Sequence, residues 1–248
     1  MISVTLMVKN GEKNLADCLE SLRPFDEVLL VDTGSTDRTL EIARTFENVK
    51  IVEHDFIGFG PTKNLAAGLA RNDWILNIDS DEVLTAELAR ALLALEPSPN
   101  AVGRFPRQSY YNGKWIRGCG WYPDKIIRLY NKTHTAFNDN LVHESIRVKP
   151  GMAVTDLEWP VKHYPYDSAA SLVDKFQFYS TLYADQNKGK IRSSPLKAVT
   201  RGGAAFFKGY FLRRGFAEGY EGFLIALCQG LSTYFKYIKL HEANKNAH

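Results

Sequence analysis

The sequence predicts an α/β protein: a doubly wound, mostly parallel sheet with helices on both faces, followed by a helical extension. Two observations carry that expectation. Short, near-continuous apolar runs recur through the first half of the chain, as strands buried on both faces require. Stretches with apolar residues at i, i+3 and i+4 separate them, so strand and helix alternate in βαβ order. The 248 residues are 45% hydrophobic, 12% aromatic and 24% charged, a globular balance that excludes disordered, collagen-like and low-complexity chains.

The elements follow in order. Residues 3–8 and 27–31 read as the first two strands, and 50–52 and 74–78 as the third and fourth. Leu15, Cys18, Leu19 and Leu22 form one helical stripe; Leu40, Ala43 and Phe46 form a second, and the Ala-rich residues 65–69 a third. Asn14 and Ser35 stand where N-caps belong, with Asp17 three residues after the first. After Pro97-Ser98-Pro99-Asn100 the rhythm breaks, and residues 101–165 mix short β-like runs with turns and aromatics. From Ser168 the pattern is helical. The expected division is one domain over 1–167 and a basic, aromatic-rich helical extension over 168–248.

No run of about 18 uncharged apolar residues is present, so a membrane-spanning helix is not expected. The amino end has neither a basic n-region nor a small-residue cleavage site, so a secretion signal is not expected either. Cys18, Cys119 and Cys228 have no metal-like or redox spacing, which suits a reducing, cytoplasmic compartment. The net charge of +3 conceals an asymmetry. From Gln186 onward 11 Lys and Arg face 3 Asp and Glu, a net of +8; the rest has 20 against 25, a net of −5. A basic tail suits an anionic membrane surface or nucleic acid. No nucleic-acid motif accompanies it, so the membrane is the expected partner.

Ligands of open α/β sheets bind beyond the carboxyl ends of the strands. After the second strand comes Asp32-Thr33-Gly34-Ser35-Thr36-Asp37-Arg38-Thr39. A glycine followed by hydroxyl residues offers backbone N–H donors there, and Asp32 an acceptor; a turn with a helix cap accounts for the same residues. After the fourth strand comes Ile78-Asp79-Ser80-Asp81-Glu82. Three carboxylates in four positions repel one another unless a cation joins them, and hard divalent ions take such oxygens together with substrate phosphates. Alternation along an extended segment points Asp79 and Asp81 the same way. Acids that merely open the next helix are the structural alternative.

With residues 8–15, 31–39, 60–66 and 76–82 in this order, the chain resembles the family 2 glycosyltransferases and their GT-A nucleotide-sugar-binding fold. The resemblance implies that residues 1–167 form the nucleotide-sugar-binding and catalytic domain. It implies that Asp32 contacts the nucleotide base, with Asn10, Gly34, Ser35 and Lys63 in the same site. Asp79 and Asp81 become the DxD motif that handles ribose, diphosphate and a divalent metal, Mg²⁺ or Mn²⁺. Lys63 stands where many relatives carry Arg, which keeps a positive charge near the diphosphate without the planar fork.

The second half narrows the resemblance. The segments 115–124 and 128–130, then Val142-His143-Glu144 and His163-Tyr164, look like enzymes that add glucose or a related hexose to the inner core of bacterial lipopolysaccharide. This implies an inverting, metal-dependent transfer from a UDP-sugar, with glucose favoured, to a lipid-linked core acceptor, with heptose favoured. Transfer to a polyprenyl phosphate or another envelope polymer is one alternative, and a catalytically silent sugar-nucleotide-binding membrane protein is another. The reaction needs a general base. The family's usual Glu-Asp pair is absent, and the available acids are Glu144 and Asp124. Glu144 is favoured because it follows an Asn-rich loop suited to an acceptor. His163 is expected to complete the metal shell of Asp79 and Asp81. Arg117 and Arg128 are expected to contact phosphate or to pair with Asp124, and Trp115, Trp121 and Tyr122 to stack on sugar faces or pack as an aromatic core.

In the tail, Phe206, Phe207, Phe211, Phe216 and Phe223 accompany Arg213, Arg214, Lys236 and Lys239. Aromatic and basic residues together describe an interfacial helical region. The expected location is therefore the inner face of the plasma membrane, held peripherally; inward packing is the alternative.

Overall fold

A computed structural model describes residues 1–140 and 144–245. Val142 and His143 of the expected motif lie outside the described residues. The chain begins with β1 (Ile2–Val8), α1 (Leu15–Ser21), β2 (Val28–Asp32), α2 (Thr39–Ala43), β3 (Val49–Glu53), α3 (Phe59–Leu69) and β4 (Trp74–Asp79). It continues through β5 (Glu82–Leu84), α4 (Ala86–Leu93), β6 (Ala101–Tyr111), β7 (Lys114–Trp115), β8 (Asp124–Asn131), β9 (Ala153–Asp156) and β10 (Val161–Tyr166). Three long helices close it: α5 (Ala169–Asn187), α6 (Pro195–Phe207) and α7 (Gly219–Lys245), with a π-helical turn at Lys208–Leu212 and a 3₁₀ turn at Gly215–Glu218 between the last two.

The strand order is β3-β2-β1-β4-β8-β6-β10-β5, with β7 and β9 also paired to β6. The block β3-β2-β1-β4 is parallel, as the βαβ rhythm predicts. Every residue of β2 is buried, and Val4, Leu6 and Val8 of β1 are as well, so burial on both faces accounts for the unbroken apolar runs. The antiparallel strand β8 extends the block, with Leu76 opposite Leu129. Its starting residue, Asp124, therefore lies toward the carboxyl end of β4.

Two local expectations change. Glu82 opens a strand rather than a helix: α4 starts later, where the Thr85 side chain caps the backbone N–H of Leu88. Neither Asn14 nor Ser35 caps a helix through its side chain; α2 starts after Arg38, and the Ser35 hydroxyl accepts from the Asn10 backbone instead.

The chain divides into two compact units. One comprises Met1–Arg107 and Asp124–Tyr164, the other Gln108–Pro123 and Pro165–His248. In the second, α7 packs against both α5 and α6. Phe176 and Phe235 stack between α5 and α7, and Ile116, Cys119, Ile225 and Ala226 fill the core. Glu218 holds the 108–123 segment, accepting from the backbone N–H groups of Arg117 and Gly118 at 2.9 and 2.8 Å.

Candidate active site

The candidate site lies in the first unit, at the carboxyl ends of the parallel strands. The loops after β1 and β2 are laced together. The Thr36 N–H donates to Asn10 Oδ1 at 2.8 Å, Gly11 N–H to Thr39 Oγ1 at 2.8 Å and Arg38 N–H to Glu12 Oε2 at 3.1 Å. Asp32 ends β2, and its Oδ2 accepts from the N–H groups of Gly34 and Ser35 at 3.1 and 3.0 Å. Those N–H groups are thus committed to Asp32 rather than open to a ligand. Asp32 Oδ1 is different: it is buried and has no partner among the described residues. A buried carboxylate oxygen without a donor is costly. Gly34 takes φ +94° with open space around its Cβ position, a conformation that glycine supplies at no steric cost.

Asp79 ends β4. Lys63 donates to its Oδ1 at 2.9 Å, and the Arg128 guanidinium binds its Oδ2. Burial favours the neutral acid, but the charges of Arg128 and Lys63 outweigh it and hold the Asp79 carboxyl well below the usual carboxylate range. Lys63 also donates to Glu144 Oε1 at 2.8 Å. That contact follows from how α3 is tied down. Asn64 exchanges hydrogen bonds with the Phe137 backbone, and a Cβ at Gly60 would lie 2.0 Å from the Asn138 carbonyl. Helix and loop thus meet closely enough for the two side chains to reach each other.

Arg128 is equally committed. It donates to Asn77 Oδ1 at 3.2 Å and to Glu82 Oε1 at 3.1 Å, and burial, which alone would lower its pKa, is outweighed by Asp79 and Glu82. Glu82 is fully buried, and its Oε2 accepts from the Asp79 backbone at 3.0 Å. Arg107 lies 3.7 Å from Glu82 and directs two donors, at 2.9 and 2.6 Å, to Asp124 Oδ2. Seven side chains thereby alternate in sign: Asp124, Arg107, Glu82, Arg128, Asp79, Lys63, Glu144. Every cation in that series is matched by carboxylates.

This corrects the expected partners. Asp124 pairs with Arg107, not with Arg117 or Arg128. Asp79, Asp81 and His163 do not form one ligand set, and no group of three or more His, Cys, Asp or Glu is arranged for a metal among the described residues. Asp81 and His163 do meet, with Oδ2 and Nε2 3.5 Å apart, because β5 and β10 pair Glu82 with His163. Trp115, Arg117, Trp121 and Tyr122 belong to the second unit. There the Arg117 guanidinium lies 4.2 Å over the Trp115 ring, Tyr122 meets Trp115 edge-on, and Trp121 packs on Tyr166. Sequence reasoning missed Arg107 and the structural role of Glu82. The signal for Glu82 was its strand-like setting, in which a fully buried acid demands a cation.

The family model for glycosyl transferase family 2 matches residues 3–148. The chain belongs to glycosyltransferase family 2. It is thus a sugar-nucleotide-dependent glycosyltransferase, and the alternative of a catalytically silent scaffold loses its ground. It is 30% identical, over 97% of its length and 87% of the relative's, to an uncharacterized glycosyltransferase of Rickettsia typhi. It is 26% identical to the lipopolysaccharide core biosynthesis glycosyltransferase LpsC of Rhizobium meliloti, covering 97% of this chain and 92% of that one. The mannosyltransferase PcManGT of Pyrobaculum calidifontis, solved with GDP-mannose and Mn²⁺, superposes with a TM-score of 0.54 at 14% identity, covering 96% of this chain and 86% of that one. That likeness establishes the GT-A fold. No helix among the described residues is long and apolar enough to cross a membrane.

Proposed function

We propose that this glycosyltransferase is an inverting, divalent-metal-dependent enzyme that moves a hexose, glucose by preference, from a UDP-sugar to a lipid-linked lipopolysaccharide core acceptor, with heptose as the receiving sugar, at the inner face of the plasma membrane. The similarity to LpsC over nearly the whole chain supports the acceptor class. The observation that carries the reading is the charge balance of the strand-tip cluster. Arg107, Arg128 and Lys63 are all committed to carboxylates, so a diphosphate entering beside Asp79 must bring its own cation.

Asp81 and His163 fit that cation. An oxygen and an imidazole nitrogen make a partial shell of the kind that Mg²⁺ or Mn²⁺ completes with waters and substrate phosphates. Lys63 and Arg128 each hold one oxygen of Asp79, so Asp81 and His163 are the ligands proposed first. When bound, the ion would neutralise charge on the departing diphosphate.

The remaining roles fall to the protein's own groups. Asp32 Oδ1 accepts the imide N–H of uracil, with Asn10, Gly34 and Ser35 shaping the loop around it. Lys63 and Arg128 keep Asp79 ionised and fixed. Glu144 is favoured as the base by sequence, but it is bound to Lys63 and only 15% exposed. Asp124 is 37% exposed and gives Arg107 only its Oδ2, so its other oxygen suits the base. It takes the proton of the acceptor hydroxyl as the new C1–O bond forms and the bond to the diphosphate breaks. Trp115, Arg117, Trp121 and Tyr122 are proposed for the acceptor sugar and its phosphates.

The test is transfer from UDP-glucose, with Mn²⁺, to purified heptose-containing core oligosaccharide. The reading expects one added hexose by mass and an inverted anomeric configuration by NMR. Turnover only with a different nucleotide sugar, or a retained configuration, contradicts it.

A further inference from the structure

The second unit carries a continuous apolar face that no part of the described chain covers. On α6, Leu196, Val199 and Phe207 are exposed along one stripe, at i, i+3 and i+11. On α7, Tyr220, Phe223, Leu227 and Leu231 repeat the pattern at i, i+3, i+7 and i+11. This is the reverse of normal helix placement, in which the apolar stripe turns inward. Rings join the stripes: Phe207 meets Phe211 at 5.0 Å, Phe211 meets Tyr210 at 5.0 Å, and Tyr210 meets Phe223 at 5.8 Å. The turn between the helices adds Leu212, 69% exposed, and Phe216. An exposed apolar surface this extended marks an interaction site.

Charge identifies the occupant. Arg213 and Arg214 are exposed in the turn that carries Leu212 and Phe216, and Lys208, also exposed, opens that turn. The only acids between Pro195 and Leu231 are Glu218 and Glu221. Both are drawn to Lys114, at 3.7 and 3.4 Å, and Glu218 is buried. The exposed charge of the face is therefore all positive. Lys236 and Lys239 do not contribute as expected: Lys236 lies 3.8 Å over the Tyr183 ring, and Lys239 donates to Gln177, Ser180 and Thr181 on α5. A second copy of this chain would bring basic residues against basic residues. An anionic lipid surface meets both the apolar and the electrostatic requirement.

We infer that the face formed by α6, the Lys208–Leu212 turn and the exposed stripe of α7 docks on an anionic bilayer. Aromatic rings enter the headgroup boundary, and Lys208, Arg213 and Arg214 meet lipid phosphates. The inference deepens the functional reading above, since it rests on an acceptor held in that membrane.

The test is co-sedimentation of the full chain with phosphatidylcholine vesicles, with and without phosphatidylglycerol. The wild-type chain is expected to bind the anionic vesicles at low salt and to leave them at high salt. Phe207→Ser with Phe211→Ser and Phe216→Ser should abolish binding. Lys208→Glu with Arg214→Glu should weaken it by roughly tenfold or more, each charge near the surface contributing about fivefold. These positions are exposed, so the variants should melt like wild type. Vesicle binding unchanged in both variants overturns the inference, as does wild-type protein that ignores anionic vesicles. A wild-type dimer in solution that Phe211→Ser dissociates also overturns it, in favour of a second copy. Activity separates the two proposals: transfer to delipidated core oligosaccharide should survive in both variants. A wild-type chain that binds vesicles but transfers nothing overturns the functional reading and leaves the docking face standing.

Discussion

The Lys63 ammonium lies 2.8 Å from Glu144 Oε1, although 81 residues separate the two in sequence. Lys63 is only 2% exposed and also holds Asp79, so one buried cation joins the carboxylate at the tip of β4 to the loop that follows β8. A buried charge is tolerated only when paired, and removing one partner is much more costly than removing both.

That asymmetry gives the first prediction. Lys63→Met should destabilise the enzyme by about 3 kcal/mol, the lower end of the range for breaking a buried pair, because Asp79 and Glu144 keep some contact with water. Adding Glu144→Gln should recover part of the loss, so the double variant is more stable than the sum of the singles. Urea denaturation of the four proteins measures the coupling. Strict additivity would show that the contact carries no energy.

The same pairing separates the two candidate bases. Asp124→Asn should lower the transfer rate by about 10²–10⁴-fold with UDP-sugar binding nearly unchanged, as loss of a general base does. Glu144→Gln should keep most of its rate once stability is corrected for. The reverse ranking would return the base to Glu144 and leave Asp124 as the anchor of Arg107.

Asp32→Asn should weaken UDP binding by roughly 10- to 100-fold, since a hydrogen bond to a charged group contributes on the order of 1.5–3 kcal/mol. The melting temperature should change little, because the amide oxygen can still accept from Gly34 or Ser35. An unchanged dissociation constant would remove Asp32 from the nucleotide site.

Burial raises all three thiols. Cys119 is pushed to about 11, with the Glu218 charge adding to desolvation. Cys18 goes well above its ordinary value, with Glu82, Asp81 and Asp79 adding to its burial, and Cys228 also rises. A raised thiol pKa means less thiolate at a given pH, and the thiolate is the reactive form. Iodoacetamide at pH 8 should therefore label none of them in the native enzyme and all three in urea. Rapid labelling of native Cys119 would contradict this burial.

Much of the parallel block was legible in the sequence, because burial on both faces leaves unbroken apolar runs such as 28–31. The strand-tip position of Asp32 and Asp79 followed from the same pattern. The pairing around them did not. Arg107 reaches Asp124 through an antiparallel register, and Lys63 reaches Glu144 through a loop held by Asn64; neither contact has a local signature. Asp79, Asp81 and His163 do not form one group among the described residues. Alternation suggested that both acids share a direction, but two buried cations claim the first of them.

The central claim is that a divalent ion enters with the nucleotide at Asp81 and His163, because the cations around Asp79 are already matched. Isothermal titration of UDP into the enzyme with Mn²⁺ and with excess EDTA tests it most directly. Wild-type enzyme should bind UDP at least tenfold more tightly with Mn²⁺, and Asp81→Ala with His163→Ala should abolish that difference while leaving the weak, metal-free affinity intact. Equal affinity with Mn²⁺ and EDTA in the wild type, or a full metal effect in the double variant, would contradict the account.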